Sequence, residues 1–262
     1  MKALVVYFSQ TGNTREVARA IAKGIRSDRS AAVDVRPIEE VGPRDWLACD
    51  LVGLGTPVFY YHEPSNVRQW IRRLAPRRRV PAFTFITHGG TPANTLRRLQ
   101  RLLRPKGARV TRSFECFGYD TYPVYLKSFR QWGHPDAADL ASAEAFGRQA
   151  AADAASFPAG RTARMGGDVA EASQAFVGGK GFRLSLLCRR PLLDYLFPRL
   201  EVRRDACIRC GACVQRCPTH NIVLEKWPRF LDRCLRCYLC ERICPRNAIR
   251  CDWRLLTKLV NP

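Results

Sequence analysis

Two stretches near the C-terminal end of the chain repeat one cysteine spacing. Cys207, Cys210, Cys213 and Cys217-Pro218 form the first run. Cys234, Cys237, Cys240 and Cys244-Pro245 form the second, 27 residues later. Each reads C-x2-C-x2-C-x3-C-P, so each run must fold around a small ligand that takes three thiols at three-residue intervals. Thiolates are soft, strong donors for iron and zinc. Structural zinc sites pair C-x2–4-C knuckles rather than triplets closed by a fourth cysteine and a proline, so the spacing favours iron–sulfur cubes. The prolines bend the chain away from the metal. Four disulfides would also use eight cysteines. However, the opening MKALVVYFSQ runs into a strand-like apolar stretch rather than a cleavable export segment, and a reducing, cytoplasmic setting is expected. Cys49, Cys116, Cys188 and Cys251 fall outside the runs and are expected to be small buried hydrophobes.

The 262 residues allow two domains, and no apolar run approaches the ~20 residues of a membrane-spanning helix. The net charge of +21 is concentrated. Residues 71–133 hold 14 Lys and Arg against 2 acids, and residues 181–262 hold 17 against 7, whereas 1–70 and 134–180 are near balance. Such blocks attract acidic proteins or an anionic membrane surface, and some cationic charge also compensates thiolate-bound clusters. Nucleic acid is not expected, because no binding module accompanies the charge.

Apolar periodicity places strands at 2–8, 31–37, 50–57, 82–88 and 108–118. Helices are predicted over Asn13–Arg26, Ser65–Leu74, Thr95–Leu103 and Asp136–Ser156. Alternating strands and helices argue for βαβ units and a doubly wound parallel sheet in a domain spanning 1–157. Residues 158–181 are rich in glycine and small residues and are read as a linker. Residues 182–200 and 253–260 read as amphipathic pieces expected to pack between domains, with peripheral membrane contact as the alternative. The cysteine runs lie in a last domain, 201–262.

Ser9-Gln10-Thr11-Gly12-Asn13-Thr14 joins the first strand to the first helix. Unpaired N–H groups and the positive end of the macrodipole make such a turn an anion site, with hydroxyls of Ser9, Thr11 and Thr14 as added donors and Gly12 permitting close approach. It matches neither G-x-x-x-x-G-K-[ST] nor G-x-G-x-x-G. The loop resembles the FMN-phosphate loop of flavodoxins, and the element order is similar to the flavodoxin-like fold with strand order 2-1-3-4-5. The resemblance implies an isoalloxazine ring between the loops at Thr56-Pro57-Val58-Phe59-Tyr60-Tyr61 and Thr87-His88-Gly89-Gly90, with one of the aromatics stacked on it. The cysteine runs resemble bacterial two-cluster ferredoxins, a small α+β fold in which the fourth cysteine of each run serves the other cluster. That implies one [4Fe–4S] cluster on Cys207, Cys210, Cys213 and Cys244, and another on Cys234, Cys237, Cys240 and Cys217. The chain as a whole is similar to flavodoxin–ferredoxin fusion proteins.

The resemblance implies an electron-transfer protein relaying electrons between FMN, two clusters and an external redox partner. An FMN-dependent reductase of a small oxidised substrate, a quinone or a corrinoid, is the alternative, and a cluster-bearing regulatory scaffold is a third reading. The basic blocks are expected to dock an acidic redox protein, through Arg77, Arg78 and Arg79 and through Arg97, Arg98, Arg101 and Arg104 on one helix. Positive charge near the ring would also favour anionic reduced flavin and raise its potential.

Overall fold

The computed structural model describes residues 1–122, 131–157 and 197–260. The expected linker at 158–181, the arm from 182 to 196 and Cys188 lie outside them. The described residues form two compact units, one from 1–121 with 131–157 and one from Tyr122 with 197–260. No helix among them is long and apolar enough to cross a membrane.

In the first unit, β1 (Lys2–Tyr7), β2 (Ala32–Pro37), β3 (Leu51–Pro57), β4 (Val80–His88) and β5 (Ala108–Phe117) make a five-stranded parallel sheet in the order β2-β1-β3-β4-β5. Val5 stands between Val35 and Gly53, and Phe85 lies opposite Gly55 and Phe114, which sets the register across the sheet. β4 is buried throughout and β3 up to Thr56, and both are mostly apolar because both of their faces are covered, as a parallel sheet requires. The helices are α1 (Asn13–Ile25), α2 (Ser65–Arg73), α3 (Thr95–Leu103) and α4 (Ala137–Ala155). The β1→β2 crossover runs opposite in direction to β3→β4→β5. Right-handed connections therefore put α1 on one face and α2 and α3 on the other. α4 returns to the α1 face.

Val17, Ala18, Ile21, Ala22 and Ile25 recur at helical spacing and pack with Ala143, Phe146 and Ala150 of α4 over Phe83 and Phe85. The two helices touch backbone to backbone. A Cβ on Gly24 would lie 1.9 Å from the Glu144 carbonyl oxygen, and one on Gly147 would lie 2.1 Å from that of Ile21. Only glycine permits that approach. A capping box between Asp136 and Asp139 starts α4.

The second unit is small and cysteine-centred. β6 (Glu201–Val202) pairs antiparallel with β9 (Ile249–Arg250), and β7 (Ile222–Leu224) pairs with β8 (Pro228–Phe230). One-turn helices α5 (Ala212–Gln215) and α6 (Leu239–Arg242) fall within the two cysteine runs, and α7 (Arg254–Val260) follows. The repeat extends to the backbone. Positive φ occurs at Arg209 and Arg236, at Gly211 and Tyr238, and at His220 and Asn247. Each pair is 27 residues apart, so both runs follow the same path.

Candidate functional site

The loop 9–14 leaves β1 at the carboxyl edge of the sheet, beside the point where strand order reverses. Gly12 takes φ 106° as the N-cap of α1, and no side chain caps the helix. The first-turn N–H groups are thus left to the concave side of the loop. Gly12 N–H donates to Ser9 Oγ at 3.1 Å, while Thr11 is exposed at the rim and Gln10 half-buried. Thr14 lies deeper than the rim. It is fully buried and its hydroxyl pairs with that of Thr87 at 2.8 Å, so it ties α1 to the end of β4 instead of standing at the rim. Asn13 Nδ2 donates to Tyr119 O at 3.1 Å. A cradle with a left-handed glycine, an uncapped helix start and rim hydroxyls fits a phosphate ester.

The two ring loops meet. Val58 N–H donates to Thr87 O at 3.0 Å, and Thr56 Oγ1 donates to Pro57 O. Phe59 and His62 exchange backbone hydrogen bonds at 2.8 and 2.9 Å around a two-residue turn whose central residues, Tyr60 and Tyr61, have φ of 51° and 66°. Turns of this kind favour Asn-Gly, and a tyrosine held there costs about 1–2 kcal/mol. The turn is anchored on both sides. Phe59 packs edge-on against Phe8 at 6.3 Å, and Glu63, with a fully buried side chain, binds Arg68 at 2.7 Å and Arg98 at 2.8 Å. Burial works against the Glu63 charge, but the two guanidinium groups more than offset it and hold its carboxyl below the usual range.

His88 ends β4 and is 7% exposed. Its Nδ1 accepts from Gly90 N–H at 3.2 Å, so the neutral ring carries its proton on Nε2. Burial lowers its pKa to about 4. Next to it lies a loop that the sequence reading passed over. A Cβ on Gly89 would lie 2.5 Å from the Asp120 side chain, and one on Gly118 would lie 3.0 Å from Asn13 Nδ2. Phe117 packs on His88 at 5.2 Å. The segment 117–120 after β5 therefore joins the loops after β1 and β4, and the aromatic-glycine string Phe117-Gly118-Tyr119 was the signal available for it.

In the second unit, one cavity is lined by Cys207, Cys210 and Cys213 of the first run together with Cys244 of the second. Among the remaining thiols, Cys237 feels Cys234 and Cys217, and Cys240 feels Cys237, Cys234 and Cys217. Burial pushes Cys237 up to about 11, mutual repulsion adds to it, and Cys240 is raised further still. Thiols gathered in this way ionise readily only when a cation compensates them, which fits a metal cluster. Backbone N–H groups point at sulfur in both sets: Asn221 to Cys217 at 3.2 Å, Arg236 to Cys234 at 3.3 Å and Ala248 to Cys244 at 3.1 Å. Of the other cysteines, Cys49 and Cys116 are buried as expected. Cys251 differs: it is only part-buried, and its N–H donates to Glu241 Oε1.

Within the basic set on the first unit, Arg98 and Arg77 have partners inside the unit. Arg98 is bound to Glu63, and Arg77 donates to the Trp46 and Cys49 carbonyls at 2.6 and 3.0 Å. Arg72, Arg73 and Arg101 sit in the last turns of α2 and α3, where they complement the helix dipole. Those turns face the amino edge of the sheet, a nine-residue helix (about 13 Å) from the ring loops.

A flavodoxin-domain family model matches residues 4–125, and a 4Fe-4S binding-domain model matches residues 200–223 and again 229–250. An uncharacterized protein of Methanocaldococcus jannaschii is 26% identical over 152 residues, covering 56% of this chain and 97% of that protein. A flavodoxin of Aquifex aeolicus is 36% identical over 56 residues, 21% of this chain and 30% of its own length. Among solved structures, a flavodoxin from the domain Archaea is similar over 59% of this chain and 99% of its own, at 21% identity and a TM-score of 0.46.

Proposed function

Because residues 4–125 are a flavodoxin domain and residues 200–250 a 4Fe–4S ferredoxin-type domain with two binding motifs, a pairing that implies electron transfer, we propose that this chain relays electrons between an FMN, two [4Fe–4S] clusters and an external redox partner. The observation that carries the reading is the cavity in which Cys244 of the second run joins three thiols of the first. When bound, the flavin supplies one- or two-electron exchange and the clusters supply single-electron exchange.

The residues of this chain bind, orient and tune. The loop 9–14 holds the phosphate through backbone N–H groups and the rim hydroxyl of Thr11. The turn at Phe59–His62, clamped through Glu63, presents Tyr60 and Tyr61 to the ring. His88 offers a neutral N–H and stays uncharged at neutral pH, so it brings no positive charge to the ring edge. Arg68 and Arg98 share the Glu63 carboxylate, which moderates the cationic field once expected near the flavin. Peptide N–H groups aimed at Cys217, Cys234 and Cys244 stabilise the more negative state of a cluster.

Anaerobic purification with flavin, iron and sulfide quantitation tests the reading. One FMN and two four-iron clusters per chain are expected. Stopped-flow reduction is expected to show a flavin–cluster step whose rate does not change with protein concentration. A chain that binds no flavin, or a rate rising linearly with concentration, refutes the internal relay.

A further inference from the structure

The two cysteine runs have the same spacing and backbone path, yet their surroundings differ. In the second run Tyr238 occupies the position of Gly211 and is 3% exposed, despite its left-handed backbone. Its ring packs on Trp253 at 4.4 Å, and Tyr122 packs on Trp253 at 5.3 Å and on Phe197 at 6.0 Å. Tyr238 Oη donates to Pro198 O at 3.0 Å, and the Arg236 guanidinium donates to the Phe197 and Pro198 carbonyls. This aromatic lid is built on Tyr238, between Cys237 and Cys240, and Leu235, Arg236 and Cys237 beside it are all half-buried.

Among the described residues the first run carries no such aromatic cluster, and Trp227 lies beside it, with the Arg209 guanidinium over its ring at 6.0 Å. Cys210 and Arg209 are exposed, and Ile208 is 58% exposed. Leu224, also exposed, lines the same cavity as Cys207, Cys210, Cys213 and Cys244. Among the described residues, the charged side chains lining that cavity are Arg209 and Arg246, with no carboxylate beside them. Exposed apolar side chains with a cationic rim are the anatomy of a protein-docking patch.

From this asymmetry, and resting on the relay reading above, we propose that the face around Cys207, Cys210, Cys213 and Cys244 is the external electron port and docks an acidic redox protein, while the lidded second site exchanges electrons only within the chain. Electron tunnelling weakens steeply with distance, so a partner gains most by docking where thiolate ligands reach the surface. Arg209 and Arg246 steer an acidic partner there, and Ile208 and Leu224 supply the apolar contact. The exposed arginines of α2 and α3 lie at the sheet edge remote from the flavin loops, and their charge adds long-range attraction for an acidic partner.

The test uses the anaerobically reconstituted full chain and, as docking probe, an acidic plant-type [2Fe–2S] ferredoxin. Binding is measured by titration calorimetry at low and at physiological ionic strength. Arg209→Gln/Arg246→Glu is expected to weaken binding about tenfold at low salt, and the salt dependence is expected to flatten. Ile208→Ser is expected to weaken binding with the salt dependence kept. Unchanged iron content and cluster EPR show that the variants are intact. Arg101→Glu/Arg104→Glu, on the other unit, is expected to bind within about twofold of the parent. Parent-like binding by Arg209→Gln/Arg246→Glu, a larger loss in Arg101→Glu/Arg104→Glu, or no binding of the probe by the parent each overturns the port. Internal flavin–cluster transfer, followed in the same preparation without the probe, reports separately on the relay.

Discussion

Lowering the pH is expected to destabilise the flavodoxin domain through His88 alone by an amount set by its burial. The folded ring titrates at about 4 because it is shielded between the end of β4 and Phe117. An unfolded histidine titrates near 6.5. Between these values the unfolded chain binds a proton that the folded chain does not, so stability falls as pH drops from about 6.5 towards 4. At pH 5 nearly every unfolded His88 is protonated against about a tenth of the folded ones. Relative to pH 7 the loss is about 2 kcal/mol, or about 4–8 °C in Tm for a domain of this size. The control is His88→Asn, whose Oδ1 stands where Nδ1 stood and still accepts from Gly90 N–H. Thermal unfolding of the parent and the variant at pH 7, 6 and 5 isolates the histidine, since every other acid-sensitive group is shared. The variant is expected to lose its excess pH slope, and the His88 Cε1–H resonance of the parent is expected to titrate with a midpoint of about 4. A midpoint near 6.5, or identical slopes in the two proteins, refutes the reasoning.

Three further outcomes follow from the geometry. Glu63→Gln removes the shared carboxylate of Arg68 and Arg98; because both guanidinium groups are about one-third exposed and can turn to water, the cost is expected to be about 2–3 kcal/mol, below that of a fully buried pair. The folded Glu63 pKa is lowered, so its contribution is complete above the unfolded value near 4.3 and fades as pH falls through the folded one, and denaturation curves of parent and variant are expected to converge there. Gly147→Ala would set a methyl group 2.1 Å from the Ile21 carbonyl and is expected to cost about 1–3 kcal/mol of domain stability by forcing α1 and α4 apart, read as a drop in Tm. Cys210→Ser is expected to lose one cluster's worth of iron while buried Cys49→Ser keeps both, and full iron retention in the Cys210 variant would sink the ligand assignment.

Much of this molecule was written locally in its sequence. The helix predicted over Thr95–Leu103 has those bounds, and α1, α2 and α4 end within a residue of expectation, because apolar periodicity reports directly which face of an element is covered. The grouping of Cys244 with the first cysteine run came from the ferredoxin resemblance and not from spacing, and in the structure Cys244 lines one cavity with Cys207, Cys210 and Cys213. Side chains whose partners are distant in sequence were decided only by the tertiary structure. Arg98 counted as surface charge until the fold brought a buried carboxylate from 35 residues away, and the pairing of the Thr14 hydroxyl with that of Thr87 is set by the approach of α1 to the end of β4. The loop after β5 carries only the short Phe117-Gly118-Tyr119 string as a signal and acquires its place because parallel strands end at one edge of the sheet. The contrast between the cysteine runs is of the same kind. Spacing makes them equal, and what separates them among the described residues is the set of aromatic residues, Tyr122, Phe197 and Trp253, that the fold gathers around Tyr238 of the second run. Local pattern fixes which groups bind; burial and charge pairing, which depend on everything packed nearby, fix how exposed and how charged those groups remain.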